Sequence, residues 1–369
     1  MIRERLRGRL EGWLLRVWFG SASPADRLLA ALLAPAALPL SWLVATVARR
    51  RRRRIVKQLP GGGVPVVVVG NLVAGGSGKT PLVAALAAGL AQAGFRPGIL
   101  AGGYRARPTR SGSVPNGPTP VTMVDAASDA AQVGDEALLL ALQTGLPVAV
   151  GKDRAAAAAL LCRLHPDRNV LLSDDGLQHI GLPRAVELVA IDDRGFGNGR
   201  CLPAGPLREP ADRLDSVDAV VMTAAAAVAT AAPGGHPRRY RSALQMTAFR
   251  TLDGANGWTP EEFAGAHGGE PLAAIAGIAR PTRFFDSLHA LGLRPTCHAL
   301  PDHAAIDARW LRSLPGRWIL MTAKDAVKCR GFEGALLARC VRVDVAARPD
   351  PALLEWLAAR LRRVADGNG

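Results

Sequence analysis

The segment VVVVGNLVAGGSGKTPLV, residues 66–83, limits the choice of fold more than any other part of the sequence. Its valine run is typical of a strand buried in a parallel sheet. The glycines that follow allow successive backbone N–H groups to face one anion. Pro81 suits the first turn of a helix, where its missing N–H costs nothing. A strand, a glycine turn and a helix N-terminus in this order predict a phosphate-binding loop.

The loop departs from the usual pattern G-x-x-x-x-G-K-[ST], because Val73 stands where that pattern has glycine. Gly70 precedes it at the strand end, so we expect a turn of different shape rather than no turn. The alternative, a glycine-rich turn with an incidental lysine, is disfavoured by the strand–loop–helix context. In a nucleotide site Lys79 reaches the β- and γ-phosphates and the Thr80 hydroxyl ligates Mg²⁺. The predicted nucleotide-binding residues are Gly70, Asn71, Val73, Ala74, Gly75, Gly76, Ser77, Gly78, Lys79 and Thr80.

Short apolar runs alternate with helix-like segments through the rest of the chain. We predict strands at 66–69, 97–100, 147–150, 169–172, 187–191, 272–278, 318–321 and 340–345, and helices at 81–92, 132–144 and 154–164. This alternation predicts an α/β fold of the P-loop NTPase type, with a parallel sheet covered by helices on both faces.

Composition divides the chain into four parts. Residues 1–60 are predicted to form a membrane-associated helical segment, and residues 61–225 the P-loop nucleotide-binding domain. The low-complexity sequence AAAAVATAAPGGHPRR, at 224–239, indicates a linker, placed at 226–245. Residues 246–369 are predicted to form a second, smaller α/β domain that contributes to the substrate cleft.

The N-terminal segment is the strongest compositional outlier. No charged residue occurs from 28 to 48, and arginines fill positions 49–54 directly afterwards. This length matches a bilayer span of about 20 residues, and the dense charge follows the apolar run, unlike in a signal peptide. The alternative is a buried hairpin broken by Pro35 and Pro39. A true span and a monotopic insertion both stay open, although the two prolines favour a broken or re-entrant helix.

The chain carries a formal net charge of +15, which indicates an anionic partner such as a membrane surface, a phosphorylated substrate or a nucleic acid. The arginine run lies next to an apolar segment and lacks interleaved aromatic residues, so it favours a membrane leaflet and argues against nucleic acid. The five cysteines form no C-x-x-C pair, which fits a reducing compartment and predicts no zinc site. The oligomeric state stays open.

The sequence GNLVAGGSGKTP, residues 70–81, resembles the P-loop of the tetraacyldisaccharide 4′-kinases, also called lipid A 4′-kinases. Further matching stretches follow in the family's order: VGDE (133–136), SDDGLQH (173–179), AGIARPTRFF (276–285), PDHAAI (301–306) and TAKDAVK (322–328). The resemblance implies a kinase that uses ATP and Mg²⁺ to phosphorylate the 4′-hydroxyl of a tetraacylated glucosamine disaccharide 1-phosphate, giving lipid IV(A) in lipid A biosynthesis. If the N-terminal segment spans the membrane, the arginines at 49–54 place the rest of the chain in the cytoplasm. Together with the resemblance, this predicts a place on the cytoplasmic face of the bacterial inner membrane.

Two pairs of acidic residues are candidate metal or catalytic groups. Asp174 and Asp175 follow an apolar strand, as Walker-B acids do, although two acids capping a turn would look the same. Which of the two contacts the metal stays open. Asp135 and Glu136 open a helix, where acids also suit the helix dipole. The resemblance implies that Asp135 is the general base and that Glu136 faces Mg²⁺.

His303 is the third catalytic candidate, beside Lys79 and Asp135. A loop histidine is more often a surface residue, but the resemblance makes His303 the partner of Asp135. Because the two lie in different predicted domains, we predict a closing motion that joins them. Gln178 and His179 add polar groups beside Asp175, and a lone histidine there is more often structural.

Three departures from the family pattern affect these assignments. The family's Ser-Arg-Gly-Tyr is Ala101-Gly102-Gly103-Tyr104 here, and Arg105 or Arg107 is a possible substitute for the missing arginine. The glutamate of Thr-Glu-Lys-Asp is Ala323, and a histidine often found after His303 is Ala304.

A P-loop GTPase or a metallochaperone-type switch ATPase is the alternative function. The guanine-reading pattern [NT]-K-x-D fails at TAKD, where lysine and aspartate are adjacent, and no cluster of cysteine and histidine supports a metal cargo.

Overall fold

The computed structural model describes residues 2–55, 63–102, 121–223 and 236–367. Tyr104, Arg105, Arg107 and the first part of the predicted linker lie outside the described residues. The strands are β1 Val66–Gly70, β2 Pro97–Ala101, β3 Thr122–Val124, β4 Val148–Val150, β5 Val170–Asp174, β6 Val186–Ile191, β7 Ala219–Met222, β8 Arg239–Thr251, β9 Gly257–Trp258, β10 Leu272–Ala276, β11 Thr296–Ala299, β12 Trp318–Thr322 and β13 Cys340–Pro349.

The α-helices surround these strands. They are α1 Ile2–Phe19, α2 Pro24–Arg52, α3 Lys79–Gln92, α4 Ala130–Val133, α5 Asp135–Thr144, α6 Arg154–Leu164, α7 Pro260–His267, α8 Pro281–Ala290, α9 Ala308–Ser313, α10 Ala323–Ala326, α11 Gly334–Arg339 and α12 Pro351–Ala365. The sheet runs in the order β11-β10-β12-β13-β8-β7-β6-β1-β5-β2-β4-β3, and β9 pairs with β8.

The valine run forms β1 at the centre of the first half of the sheet. It pairs in parallel with β5 on one side and β6 on the other, and its residues are buried on both faces. One face is covered by α3, α5 and α12, and the other by α6 and the N-terminal helices. Burial on both faces explains why these strands are runs of valine and leucine rather than alternating patterns. The carboxyl ends of β1 and β5 therefore meet at one edge of the sheet.

Most predicted elements are present within a residue or two of their expected bounds, including the parallel sheet with helices on both faces. The predicted helix at 132–144 is wrong in its first turn, because Gly134 divides it into α4 and α5. Gly134 has φ 90°, a backbone conformation that L side chains rarely adopt, so no continuous helix passes through it. The break makes Asp135 the first residue of α5.

The boundary between the two halves differs from the predicted linker. Residues 239–245 of that linker belong to β8, which pairs in parallel with β7 and then antiparallel with β13. One strand therefore joins both halves into a continuous sheet. The C-terminal helix α12 returns to the first half, where Leu353, Leu357 and Leu361 pack into the same core as α3. Residues 351–365 thus complete the nucleotide-binding half rather than the second domain.

The N-terminal segment forms the helix pair α1 and α2. The expected break is wrong, because α2 continues through Pro35 and Pro39. A proline removes one helical hydrogen bond and bends a helix more readily than it ends a long one. The alternative of a buried hairpin is also wrong, since the most apolar window of α2 is only 6% buried and its mean hydropathy of 2.0 is sufficient for a membrane span. Its exposed side chains include Leu28, Leu29, Leu32, Leu33, Leu38, Leu40, Trp42, Leu43 and Val47.

Candidate nucleotide and catalytic site

The glycine-rich loop leaves β1 at Gly70 and enters α3 at Lys79. A Cβ on Gly70 would lie 2.5 Å from Leu177 Cβ, so this position admits no larger residue without a shift. Val73 is buried and pairs with Leu207 as an isolated antiparallel bridge, and the amide of Ala74 donates to Pro206 O at 2.8 Å. The residue that departs from the consensus thus attaches the loop to a neighbouring segment, which gives the turn its different shape.

Asn71 holds the inside of the loop. Its Nδ2 donates to Val73 O at 2.7 Å and to Gly75 O at 3.2 Å, and its Oδ1 accepts from Lys79 Nζ at 3.0 Å. Gly78, the last residue before α3, has φ 75° and a Cβ there would lie 3.1 Å from a Leu244 methyl group. Glycine is required there for both reasons.

The turn offers several donors to an anion. In the described part of the chain, the amides of Gly75, Gly76, Ser77 and Gly78 donate to no protein acceptor. The Ser77 hydroxyl is buried and has no protein partner there either. These groups precede the N-terminus of a 14-residue helix, α3. Free amides beside a helix N-terminus are the features with which phosphate is bound.

Asp174 and Asp175 lie at the carboxyl end of β5, beside the loop. Asp174 Oδ2 accepts from Thr80 Oγ1 at 2.8 Å, whereas its buried Oδ1 has no hydrogen-bond partner among the described residues. Burial, together with the charge of Glu136, raises the pKa of Asp174 to about 7. A carboxylate with an orphaned oxygen next to a threonine hydroxyl fits a cation, because a positive charge would offset the cost of burial.

Asp175 has different partners. Its carboxylate forms ion pairs with Lys79 Nζ at 3.3 Å and with Arg208 Nη1 at 2.9 Å. Burial raises the pKa of Asp175, but the charges of Lys79 and Arg208 outweigh it and hold that pKa at about 2. With two cations already beside it, Asp175 is the less suitable metal ligand of the pair.

No self-contained metal cluster of three or more His, Cys, Asp or Glu side chains occurs in residues 2–55, 63–102, 121–223 and 236–367. A Mg²⁺ ion bound with a nucleotide needs no such cluster, because it uses one or two carboxylates, phosphate oxygens and water. The residues present therefore fit Mg²⁺ bound together with ATP.

Arg208, Gln178 and Glu209 extend the polar network on this side. Gln178 donates to Glu209 Oε1 at 2.8 Å and accepts from Arg208 Nη1 at 3.3 Å. The amide of Arg208 donates to Leu72 O at 2.7 Å, so the arginine comes from the segment that contacts the loop. Nothing in the sequence around Arg208 distinguishes it from the many other arginines, and sequence reasoning missed it.

Arg154 was also missed. Its buried guanidinium donates to the carbonyls of Gly151 and Asp174, and a Cβ on Gly102 would lie 3.0 Å from its Nη2. Arg154 thus lies beside the position where the family's arginine is replaced by Gly102. His179 is near the same guanidinium: burial, and then the charge of Arg154, lower its pKa to about 4. A neutral, partly buried ring agrees with the structural reading of His179.

The structure brings Asp135 and His303 together. His303 Nδ1 lies 3.0 Å from both carboxylate oxygens of Asp135, which is the first residue of α5. Burial raises the pKa of Asp135, but the hydrogen bond from His303 and the charges of Lys324 and Lys328 outweigh it, so the net pKa is lowered. Asp135 is therefore a carboxylate at neutral pH, as a base must be. The pair is joined in this structure without any further movement.

Two lysines that sequence reasoning did not place at this pair surround it. Lys324 Nζ donates to Glu136 Oε1 at 2.8 Å and to Asp302 Oδ1 at 3.0 Å, and lies 4.0 Å from Asp135 Oδ2. Lys328 Nζ lies 3.7 Å from the same oxygen and 2.9 Å from Asp325. Glu136, predicted to face Mg²⁺, is held here by a lysine. The signal in the sequence was the i, i+4 spacing of the lysines in TAKDAVK.

Arginines of the second half also contact the loop region. Arg280 forms ion pairs with Asp192 and Asp193, and Arg283 donates to Thr223 O at 3.2 Å. In this structure the guanidinium groups of both residues connect the second half of the sheet to the strand ends of the first.

Comparisons with known proteins identify the family to which the chain belongs. The family model of the tetraacyldisaccharide-1-P 4′-kinases (LpxK) matches residues 33–362. The chain belongs to this family of kinases. A tetraacyldisaccharide 4′-kinase of Bordetella petrii is 44% identical over 345 residues, which cover 92% of this chain and 94% of that protein. A second tetraacyldisaccharide 4′-kinase, from Alkalilimnicola ehrlichii, is 48% identical over 305 residues, which cover 82% of this chain and 83% of that protein.

Among solved structures, the chain is similar to a tetraacyldisaccharide 4′-kinase family member from Aquifex aeolicus that was crystallised with ATP. The TM-score is 0.70 at 25% sequence identity, and the match covers 91% of this chain and 99% of that one. The predicted family and the P-loop α/β fold are confirmed. These matches give no support to the alternative of a P-loop GTPase or a metallochaperone. The roles assigned to individual site residues stay predictions.

Proposed function

We propose that this member of the tetraacyldisaccharide 4′-kinase family transfers the γ-phosphate of ATP to the 4′-hydroxyl of a tetraacylated glucosamine disaccharide 1-phosphate. Family membership supports the substrates. The contact between Asp135 and His303, at 3.0 Å, is the observation that carries the mechanism.

The loop from Gly70 to Thr80 binds the triphosphate through its free amides and the N-terminus of α3. Lys79 lies within reach of Asn71 and Asp175 in this structure and would exchange those contacts for phosphate oxygens. Thr80 and Asp174 would hold Mg²⁺, which neutralises charge on the phosphates when it is bound. Asp174 is favoured over Asp175 because only its carboxylate keeps an unpaired oxygen.

Asp135 accepts the proton of the acceptor hydroxyl as that oxygen attacks the γ-phosphorus, the bond from the γ-phosphorus to the β,γ-bridging oxygen breaks, and ADP leaves. His303 orients the carboxylate by donating its Nδ1–H to it, and the proton taken from the hydroxyl stays on Asp135. Asp135 belongs to the nucleotide-binding half and His303 to the second half, so we propose that the acceptor sugar binds between the two halves. The predicted closing motion is not needed to join Asp135 and His303, because the two side chains already lie 3.0 Å apart in this structure.

Helix α2 would place the enzyme on the membrane surface. Its second half packs on the protein body: Ser41 Oγ donates to Cys201 O at 2.8 Å, and Arg49 and Arg52 pair with Asp212. A helix held along the body in this way cannot be surrounded by lipid over its whole length, which favours a monotopic insertion over a span. The exposed leucines would enter the leaflet, and the arginines at 49–54 favour the cytoplasmic, anionic face of the inner membrane.

The test follows radiolabelled γ-phosphate from ATP to the lipid disaccharide in mixed micelles. We expect Asp135→Asn to lower kcat by about 10²- to 10⁴-fold, the contribution of a general base, and Lys79→Ala to raise the KM for ATP as well. Asp286→Asn removes an exposed aspartate from α8 and should leave both constants unchanged. Label that reaches only water, or an unchanged kcat in Asp135→Asn, would contradict the proposal.

A further inference from the structure

Lys324 makes the contacts that connect the two halves at the catalytic pair. Its ammonium group donates to Glu136 of the nucleotide-binding half and to Asp302 of the second half, and lies 3.4 Å from His303 Nε2. Its side chain is only 12% exposed. The residues beside the pair in sequence, Glu136 and Asp302, are thus joined to each other through one cation.

The backbone that carries Lys324 is firmly held. The Thr322 hydroxyl caps α10 by accepting from the amide of Asp325. The fully buried Asp325 carboxylate accepts from the Gly277 amide at 2.9 Å, and a Cβ on Gly277 would lie 2.8 Å from it. Lys324 therefore projects from a fixed support, and its position is set by the second half of the sheet.

His303, by contrast, lies in a turn with a costly backbone conformation. Its φ is 60°, in the left-handed region that a non-glycine residue adopts only when surrounding contacts impose it. Its amide approaches Gly277 O at 3.4 Å, a long hydrogen bond. The Lys324–Asp302 contact is a shorter one, at 3.0 Å, on the residue directly before it. That contact is well suited to keep the turn in its strained form.

We propose that Lys324 is a positioning residue for phosphoryl transfer: by binding Glu136 and Asp302 at once, it keeps His303 aligned with Asp135. This inference rests on the proposed function, in which Asp135 is the base and His303 its partner. Lys324 acts through these residues and touches neither the glycine-rich loop nor Lys79. Removing it would let the turn at His303 relax and misalign the pair, while nucleotide binding would persist.

The test compares Lys324→Met, which keeps the length of the side chain without its charge, with Lys324→Arg and the wild type. A misplacement of about 1 Å costs on the order of 10²-fold in rate, so we expect kcat of Lys324→Met to fall by that amount. The KM for ATP should stay within about twofold of the wild type, an energy difference below 1 kcal/mol. Lys324→Arg should recover part of the loss, because a guanidinium can bridge two carboxylates.

Arg309→Met is the matched control, since it removes one exposed positive charge from the second half, and its kcat should equal that of the wild type. Asp302→Asn is the second variant: it keeps Lys324 but neutralises the carboxylate that binds Lys324 and that also lies 3.7 Å from His303 Nε2. It therefore tests whether this turn must be held in place even where Lys324→Met folds poorly. It should lower kcat and leave the KM for ATP unchanged. A rise in that KM with kcat unchanged, in either variant, would mean that Lys324 serves nucleotide binding and would overturn the inference.

Combining the substitutions separates the inference from the function on which it rests. If Lys324 acts through Asp135, the double variant Asp135→Asn/Lys324→Met should be no slower than Asp135→Asn alone. Additive losses would overturn the positioning role. If Asp135→Asn is as fast as the wild type, the proposal that Asp135 is the base is refuted. If Asp135→Asn is slow but Lys324→Met is as fast as the wild type, only the positioning role of Lys324 is refuted.

Discussion

Replacing Leu28 and Leu32 of α2 by glutamine should release the protein from membranes. The two side chains are 66% and 70% exposed and lie one turn apart on the same side of the helix. Burying a whole leucine side chain is worth about 1.5–3 kcal/mol, and about two thirds of each side chain is free to enter lipid. The double variant should therefore lose about 2–4 kcal/mol of binding energy, or on the order of 10²-fold in partition coefficient.

The assay is co-sedimentation with vesicles that contain anionic lipid, over a series of lipid concentrations. Leu142→Gln/Leu164→Gln is the matched control, because it removes two exposed leucines from helices of the protein body. Its binding curve should overlay that of the wild type. If Leu28→Gln/Leu32→Gln sediments as well as the wild type, α2 does not insert into the leaflet and the argument from its exposed side chains is refuted.

Two further predictions concern stability. In a urea titration, Gly70→Ala should lower the free energy of unfolding by about 1–3 kcal/mol, because the new Cβ would lie 2.5 Å from Leu177 Cβ. Gly265→Ala is the control, because the space around this glycine of α7 is open. Its free energy of unfolding should be unchanged or slightly higher. The pKa of His179 is about 4 in the folded protein and about 6.5 in the unfolded chain. Between these pH values the imidazole is protonated in the unfolded chain but not in the folded protein. The free energy of unfolding therefore falls as the pH drops from 6.5 to 4. From pH 7.5 to pH 5 the wild type should lose about 1 kcal/mol more than His179→Gln, after allowance for solvent screening of the ring, and equal losses would contradict the assignment.

The P-loop shows how far local sequence reasoning reaches. The valine run, the glycines and Lys79-Thr80-Pro81 each have a local conformational preference, and together they predicted β1, the turn and α3. The effect of Val73 was not predictable in detail, because its partner Leu207 is distant in the chain and becomes a neighbour only in the folded protein. A departure from the consensus was visible in the sequence, but the contact that accommodates it was not.

The division into domains was predicted less well. Low complexity suggested a linker at 226–245, whereas residues 239–245 form the part of β8 that joins both halves of the sheet. Strand pairing depends on partners far away in the sequence, so composition is a poor guide to which segment serves as a linker. The return of α12 to the first half follows from where its leucines find a partner surface, and no local pattern contains that information.

The sequence by itself predicted the glycine-rich loop, the alternation of strands and helices and the apolar, arginine-flanked N-terminus, and through the family resemblance it gave Asp135 and His303 as candidates. These depend on backbone preferences, periodicity and motif spelling within short segments. Only the tertiary structure decided that Lys324 lies between Glu136 and Asp302, that Arg208 neutralises Asp175, and that Arg154 lies beside Gly102. Each of these contacts joins residues from separate elements, because the continuous sheet places their ends at a common edge.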